Sequence, residues 1–316
     1  MFSSKVTTAV LGLVGLAASM PAASMPTATM PAPPLPIVRF SAQEMHPSNQ
    51  TLVNSILRAP NCASLAYGLT LEDCDWMSQI GMADQGVNPT WNNGLIWIGD
   101  DGEYTFTFTN DASYPGVEDV PLTVIIWNFP PGDYEGNHDS EPLFPPMMQS
   151  VHMKKRFRLT LFIASFMNVR QPQISYSLPR TGDSVTISLA RDVSGAFGAL
   201  YGRTTKLSQW GQLYNTWGEF TTGDWATVDV SRLVNMGGND MEITVRDNGC
   251  VSDMNRCSFW CKNNMLTCGE SGTYDLVNCD AGSQPGATYG SWDGINPDGG
   301  CQGWGNGGHL DIVLRD

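Results

Sequence analysis

The stretch Tyr104-Thr-Phe-Thr-Phe-Thr109 decides the fold class. Tyr104, Phe106 and Phe108 alternate with three threonines, so an extended chain here has one aromatic and one hydroxylated face. That period of two is the pattern of a half-buried strand, and aromatic and β-branched residues favour the pleated state. Gly99-Asp-Asp-Gly102 before it is a strong turn signal, and Asn110-Asp-Ala-Ser113 ends it. Working outward, further strands are expected at Leu95–Ile98, Leu122–Phe129, Ile174–Leu178, Ser184–Leu189, Gly198–Tyr201, Met241–Val245 and His309–Leu314. Helix is scarce, with a weak helical pattern over 43–57. Many short strands broken by turns predict an all-β chain, a β-sandwich or jelly roll.

The N-terminal residues stand apart from this pattern. Lys5, an apolar run over 6–18 and small residues from Ala17 to Ala23 read as a secretory signal peptide over 1–23. The run is too short to span a bilayer, and no later segment is long and apolar enough to do so. A Pro- and Ala-rich leader follows over 24–42, leaving 43–316 as the β domain. A secreted, extracellular monomer is expected, glycosylated at the sequon Asn49-Gln-Thr51. Within the domain, residues 137–165 break the composition. They hold two of the four His and the dense basic run Lys154-Lys155-Arg156-Phe157-Arg158. This segment reads as an insertion or a retained intron, with a solvated loop or a basic contact patch as alternatives.

Eight cysteines in a chain with a signal sequence argue for four disulfides. Cys62 and Cys74 lie alone and are expected to pair. Cys250, Cys257, Cys261, Cys268, Cys279 and Cys301 crowd the C-terminal part and are expected to pair among themselves. They staple a Gly-, Asn- and Ser-rich region that reads as loop. Their spacing is a poor match to zinc sites, and neither a metal nor a cofactor is expected. Ser291–Gly300 carries Asp293, Asn296 and Asp298 but lacks the alternating ligands and closing Glu of a calcium loop. His309 has no Ser or Cys nucleophile motif beside it. A net charge of -14 excludes a nucleic-acid binder that works by neutralising phosphate. Acid-lined surfaces repel anions, which leaves neutral glycans or basic partners.

The richest stretch for chemistry runs from Phe197 to Ile243. It combines Tyr201, Trp217 and Trp225 with Arg203, Glu219, Asp224 and Asp229. Flat aromatic faces beside ionic groups are what a sugar site needs. Two of the acids, Glu219 with Asp229 or Asp224, can supply the carboxylate pair of glycoside hydrolysis if their separation suits. The competing reading places these acids at turns around Gly218 and Gly223.

Several segments resemble the thaumatin-like proteins. Phe106-Thr-Phe-Thr-Asn110 with Tyr114 is similar to that family's first aromatic strand. Gly198-Ala-Leu-Tyr-Gly-Arg-Thr204 is similar to its Gly-x-x-Trp-Gly-Arg-Thr segment. Trp217-Gly-Glu-Phe-Thr221, Val228-Asp-Val-Ser231 and Asn235-Met236 follow in the family's order, so the resemblance covers about 104–245. It implies an acidic cleft built on Arg203, Glu219 and Asp229, β-1,3-glucan binding and, in some members, weak hydrolysis. The chain departs from the plant members in having eight rather than sixteen cysteines. Asn235 or Asn239 stands where a second cleft Asp is wanted. The leader and Cys-rich tail look like those of secreted fungal effector-like proteins. The expectation is therefore a non-enzymatic binder of cell-wall glucan, with Tyr201, Trp217 and Trp225 stacking and Arg203, Glu219, Asp224 and Asp229 bonding hydroxyls. A weak endo-β-1,3-glucanase using Glu219 and Asp229 is the first alternative. An effector acting on a host protein, without glycan binding, is the second.

Overall fold

A computed structural model describes residues 59–117, 119–129, 165–290 and 297–316, all within one unit, Met45–Asp316. The expected signal peptide, leader, glycosylated Asn49, weak helix over 43–57 and inserted segment up to 164 lie outside the described residues. The chain is all-β and builds two sheets, with strands numbered in chain order. The six-stranded sheet runs β1 (Ile96–Ile98), β5 (Ser184–Leu189), β2 (Tyr104–Asn110), β15 (Gly308–Leu314), β9 (Met241–Val245) and β10 (Val251–Ser252). The nine-stranded sheet runs β12 (Tyr274–Val277), β11 (Ser258–Cys261), β8 (Thr227–Ser231), β7 (Trp217–Thr221), β6 (Ser194–Tyr201), β3 (Leu122–Asn128) and β4 (Ile174–Leu178). Its remaining strands are β14 (Gly300–Gln302), which also pairs with β8, and β13 (Ala287–Thr288), which pairs with β14.

The alternation in β2 does what its pattern dictates. Tyr104, Phe106 and Phe108 are fully buried, while the threonines between them are half-buried. Phe106 meets Phe220 edge-on at 5.1 Å and Phe108 meets Phe197 at 5.0 Å, so rings from both sheets interlock in one core. Edge-to-face packing of this kind suits the ring quadrupoles. The sandwich is closed in sequence by its last strand, since β15 lies parallel to β2 from Gly308↔Tyr104 to Leu314↔Asn110.

The nine-stranded sheet is apolar on its outer face as well. Ile125 and Trp127 of β3, Ala196 and Leu200 of β6, and Trp217 of β7 form a second cluster with Cys74 and Met77. The last two belong to helix α1 (Leu71–Gln79), which covers this face. That cover explains why every residue of β3 is buried. The sequence reading missed α1, although Thr70-Leu-Glu-Asp73 is a helix-start signal. The Thr70 side chain accepts a hydrogen bond from the Asp73 amide at 3.3 Å, and Glu72 and Asp73 sit in the first turn. The helix is short and only weakly amphipathic, so its hydrophobic period is inconspicuous.

Cys62 pairs with Cys74, and the other six pair as Cys250–Cys301, Cys257–Cys279 and Cys261–Cys268. The region between Cys250 and Cys301 is not simply loop, as expected, but carries β10 to β13 and the start of β14. These strands are two to four residues long, too short to show a period. Disulfides and pairing to β8 and β9 order them instead.

Candidate functional site

Strands β7 and β8 are antiparallel and pair Trp217↔Ser231, Glu219↔Asp229 and Thr221↔Thr227. Residues two apart share a face, so these six side chains leave the sheet on one side. Phe220, Val228 and Val230 leave on the other, into the sandwich core. Glu219 and Asp229 are therefore direct cross-strand neighbours. The far edge of β8 is split, with β14 bonded over Thr227–Val228 and β11 over Val230–Ser231. The seam between them falls at Asp229. Gly300 allows β14 to come this close: a Cβ there would stand 2.7 Å from the Val228 carbonyl oxygen and 3.2 Å from the Asp229 Cβ.

A pocket of about 280 Å³ opens on this face, and Glu219, Asp229 and Ser231 line it. Phe129, Trp217, Phe259 and Tyr274 give it aromatic walls, and Gln212 and Asp298 add polar groups. Trp217 is held by an edge contact to Trp127 at 5.0 Å, and its indole N–H donates to the Leu213 carbonyl at 2.8 Å. Phe129, Ser165 and Pro297 adjoin stretches outside the described residues.

Like charges opposed across two strands repel. Burial pushes the Glu219 carboxyl up to about 7, with a hydrogen bond to Ser231 acting in the opposite sense. Burial, and then the charge of Glu219, raises Asp229 well above the usual carboxylate range. The pair thus holds a proton near neutrality, leaving one group able to donate and one able to accept. Oδ1 of Asp229 and Oε1 of Gln212 are buried without a hydrogen-bond partner.

The other residues expected at a sugar site lie elsewhere. Tyr201 is 2% exposed in the sandwich core, where burial drives its phenol far above its ordinary range, so it offers no stacking face. Arg203 is exposed in the turn beyond β6, with φ at +64°, and is not among the pocket residues. Asp224 is exposed and ion-paired with Arg191, which also holds Glu103 at 2.8 Å. Trp225, 76% exposed, sits beside it in the β7–β8 turn and does not line the pocket. Of the seven residues expected to bind substrate, Trp217, Glu219 and Asp229 come together. The sequence reading missed Phe129, Gln212, Phe259 and Tyr274 as pocket residues, and weighed Asp298 only for calcium. Phe259 was discoverable only through the parallel pairing that sets it beside Ser231.

His309 Nδ1 lies 2.7 Å from Thr105 Oγ1 and its Nε2 lies 3.2 Å from Asp311. This hydroxyl–imidazole–carboxylate line runs along the threonine-rich face of the six-stranded sheet, away from the pocket. Among the described residues, the one group of three close potential metal ligands is Cys250, Cys257 and Cys301, and all three are in disulfides. No helix among the described residues is long and apolar enough to cross a membrane. No protein-family model matches the chain, and no curated protein matches it in sequence.

Proposed function

We propose that this is an extracellular glycan-binding protein whose pocket slowly hydrolyses β-linked glucan, with Glu219 and Asp229 as the acid–base pair. The observation that carries this reading is the placing of two carboxyl groups directly opposite each other in an aromatic-walled pocket. Four disulfides and the signal-like N-terminus support an oxidising, extracellular setting. The thaumatin-like resemblance over 104–245 supports the same pair as cleft acids, and Trp217, Phe259 and Tyr274 take the stacking role in place of Tyr201 and Trp225.

Glycoside hydrolysis needs one carboxylic acid to protonate the leaving oxygen and one carboxylate to act as nucleophile or base. A proton shared by Glu219 and Asp229 supplies both at once. Asp229 is the more enclosed, so it keeps the proton and gives it to the leaving oxygen while the half-buried Glu219 attacks the anomeric carbon; water, deprotonated by Asp229, then releases the sugar from Glu219. Directly opposed cross-strand side chains start about 4.5–5.5 Å apart. That is a spacing of Cβ atoms; retaining enzymes hold their carboxyls about 5–5.5 Å apart and inverting ones about 6.5–9.5 Å, and side chains rooted this close favour the shorter arrangement.

The test is laminarin hydrolysis followed by reducing sugar and by NMR of the anomeric proton. Release of sugar with retained configuration is expected, falling about 100-fold or more in Glu219→Gln and Asp229→Asn. Inversion, or full activity in both variants, overturns the assignment. Binding to insoluble β-1,3-glucan without any sugar release would instead support the non-enzymatic binder. The absence of Arg203 from the pocket favours that second reading, because no cationic side chain among the described lining residues stabilises a carboxylate nucleophile.

A further inference from the structure

The described residues lining the pocket include three carboxyl side chains, Glu219, Asp229 and Asp298, and no Lys, Arg or His. No cationic side chain among those residues offsets the charge of the opposed pair, Glu219 and Asp229. Two oxygens at the pocket residues Asp229 and Gln212 are also buried without a partner, and these residues are only 6% and 3% exposed. A buried acceptor left empty is unfavourable, more so when charged, and a donor that reaches it recovers that loss. The ligand complementary to such a site is rich in donors and positive.

Two kinds of cation meet that description. A hard divalent ion needs six or more oxygens converging at short range. Among the described residues, no three Asp or Glu side chains bring carboxylate oxygens within 4.8 Å of one another, so three carboxylates do not converge in the pocket. An ammonium group asks for less: three donors, no acceptor, and tolerance of aromatic faces. Trp217, Phe259 and Tyr274 supply those faces beside the carboxyls.

We propose that the pocket selects a sugar unit bearing a free amino group, as in a deacetylated amino-sugar polymer, over a neutral glucose unit. This rests on the glycan reading above. The ring stacks on the aromatic walls, and the ammonium lies against Glu219 and Asp229 and donates to the carboxylate oxygens that face the pocket. Before the ligand binds, the carboxyl pair retains a proton, so taking up the ammonium expels it, and a unit held this way is bound without being cleaved. Binding is therefore coupled to proton release, which diffuse attraction to a chain of net charge -14 does not produce.

The test uses the full chain and calorimetry with three oligosaccharides of equal length: a glucosamine oligomer, its N-acetylated form, and a β-1,3-glucose oligomer. The glucosamine oligomer is expected to bind at least about tenfold more tightly than either of the others at about pH 6. Measurements in two buffers of different ionisation heat should show net proton release. Glu219→Gln and Asp229→Asn should each remove most of the preference and the proton release, while Asp224→Asn on the exposed β7–β8 turn should not. If either pocket variant fails to fold, the three-ligand comparison and the proton count on the wild type still decide. Equal or tighter binding of the neutral oligomer overturns the amine preference and leaves the glycan reading standing. Amine binding without proton release, or weakened as much by Asp224→Asn, shows surface attraction and overturns it too. Binding of the glucosamine oligomer alone upholds the preference and removes neutral glucan as the substrate. No binding of any of the three overturns both.

Discussion

At the scale of single residues, the protein stores an unfavourable arrangement at Glu219 and Asp229, and its pH dependence should reveal it. Glu219 titrates near 7 in the fold against an ordinary value of 4.5. The folded state therefore binds more protons than the unfolded state between those values, and stability falls as pH rises through the window. Denaturant melts from pH 4.5 to 7.5 should show this decline, and Glu219→Gln should lessen it, leaving the part that burial of Asp229 contributes. A wild-type curve that rises over the same window contradicts the buried pair. Gly218, between Trp217 and Glu219, is a second residue-scale constraint. A Cβ there would fall 2.2 Å from the Phe197 ring, which is packed in the core. Gly218→Ala should cost about 1–3 kcal/mol in chemical denaturation and lower any activity with it, because relief of the clash displaces β7.

At the scale of elements, short strands are ordered by covalent closure rather than by their own length. β10 to β14 have two to four residues each and depend on the pairs Cys250–Cys301, Cys257–Cys279 and Cys261–Cys268. Chain entropy ranks these pairs by the loop they close. Cys250 and Cys301 are separated by 51 positions and Cys261 and Cys268 by 7. Removing the first by paired Ala substitution should cost about 4 kcal/mol and the second about 2.5 kcal/mol. Loss of the first should also loosen β14 from β8, and hence the seam at Asp229. Equilibrium unfolding with a probe of ligand binding checks both effects, and equal costs for the two deletions would count against the entropic account.

At the scale of the whole molecule, the sandwich core explains why one alternating strand was so informative. Phe106 is fully buried against Phe197, Phe220 and Trp304, which come from strands and loops far apart in sequence. Phe106→Ala should cost about 3–5 kcal/mol. Thr107→Ala, on the other face and losing a bond to Thr186, should cost about 1 kcal/mol. A comparable loss from both would mean that the two faces of β2 are not as unequal as the packing indicates. Much of this was legible in the sequence. Strand positions, the all-β class and the Cys62–Cys74 pair follow from local alternation, turn residues and cysteine proximity, which need no partner to be read. Glu219 and Asp229 were legible as candidates because acids beside tryptophans and glycines stand out in a strand-rich stretch. The tertiary structure alone decided which candidates meet. Antiparallel pairing sets Glu219 against Asp229, β11 brings Phe259 alongside, and the same course of the chain buries Tyr201 and leaves Arg203 at the far end of β6. The physical reason is range: a side chain's period is written in its nearest neighbours, while a pocket is made by strands whose pairing depends on contacts many residues away.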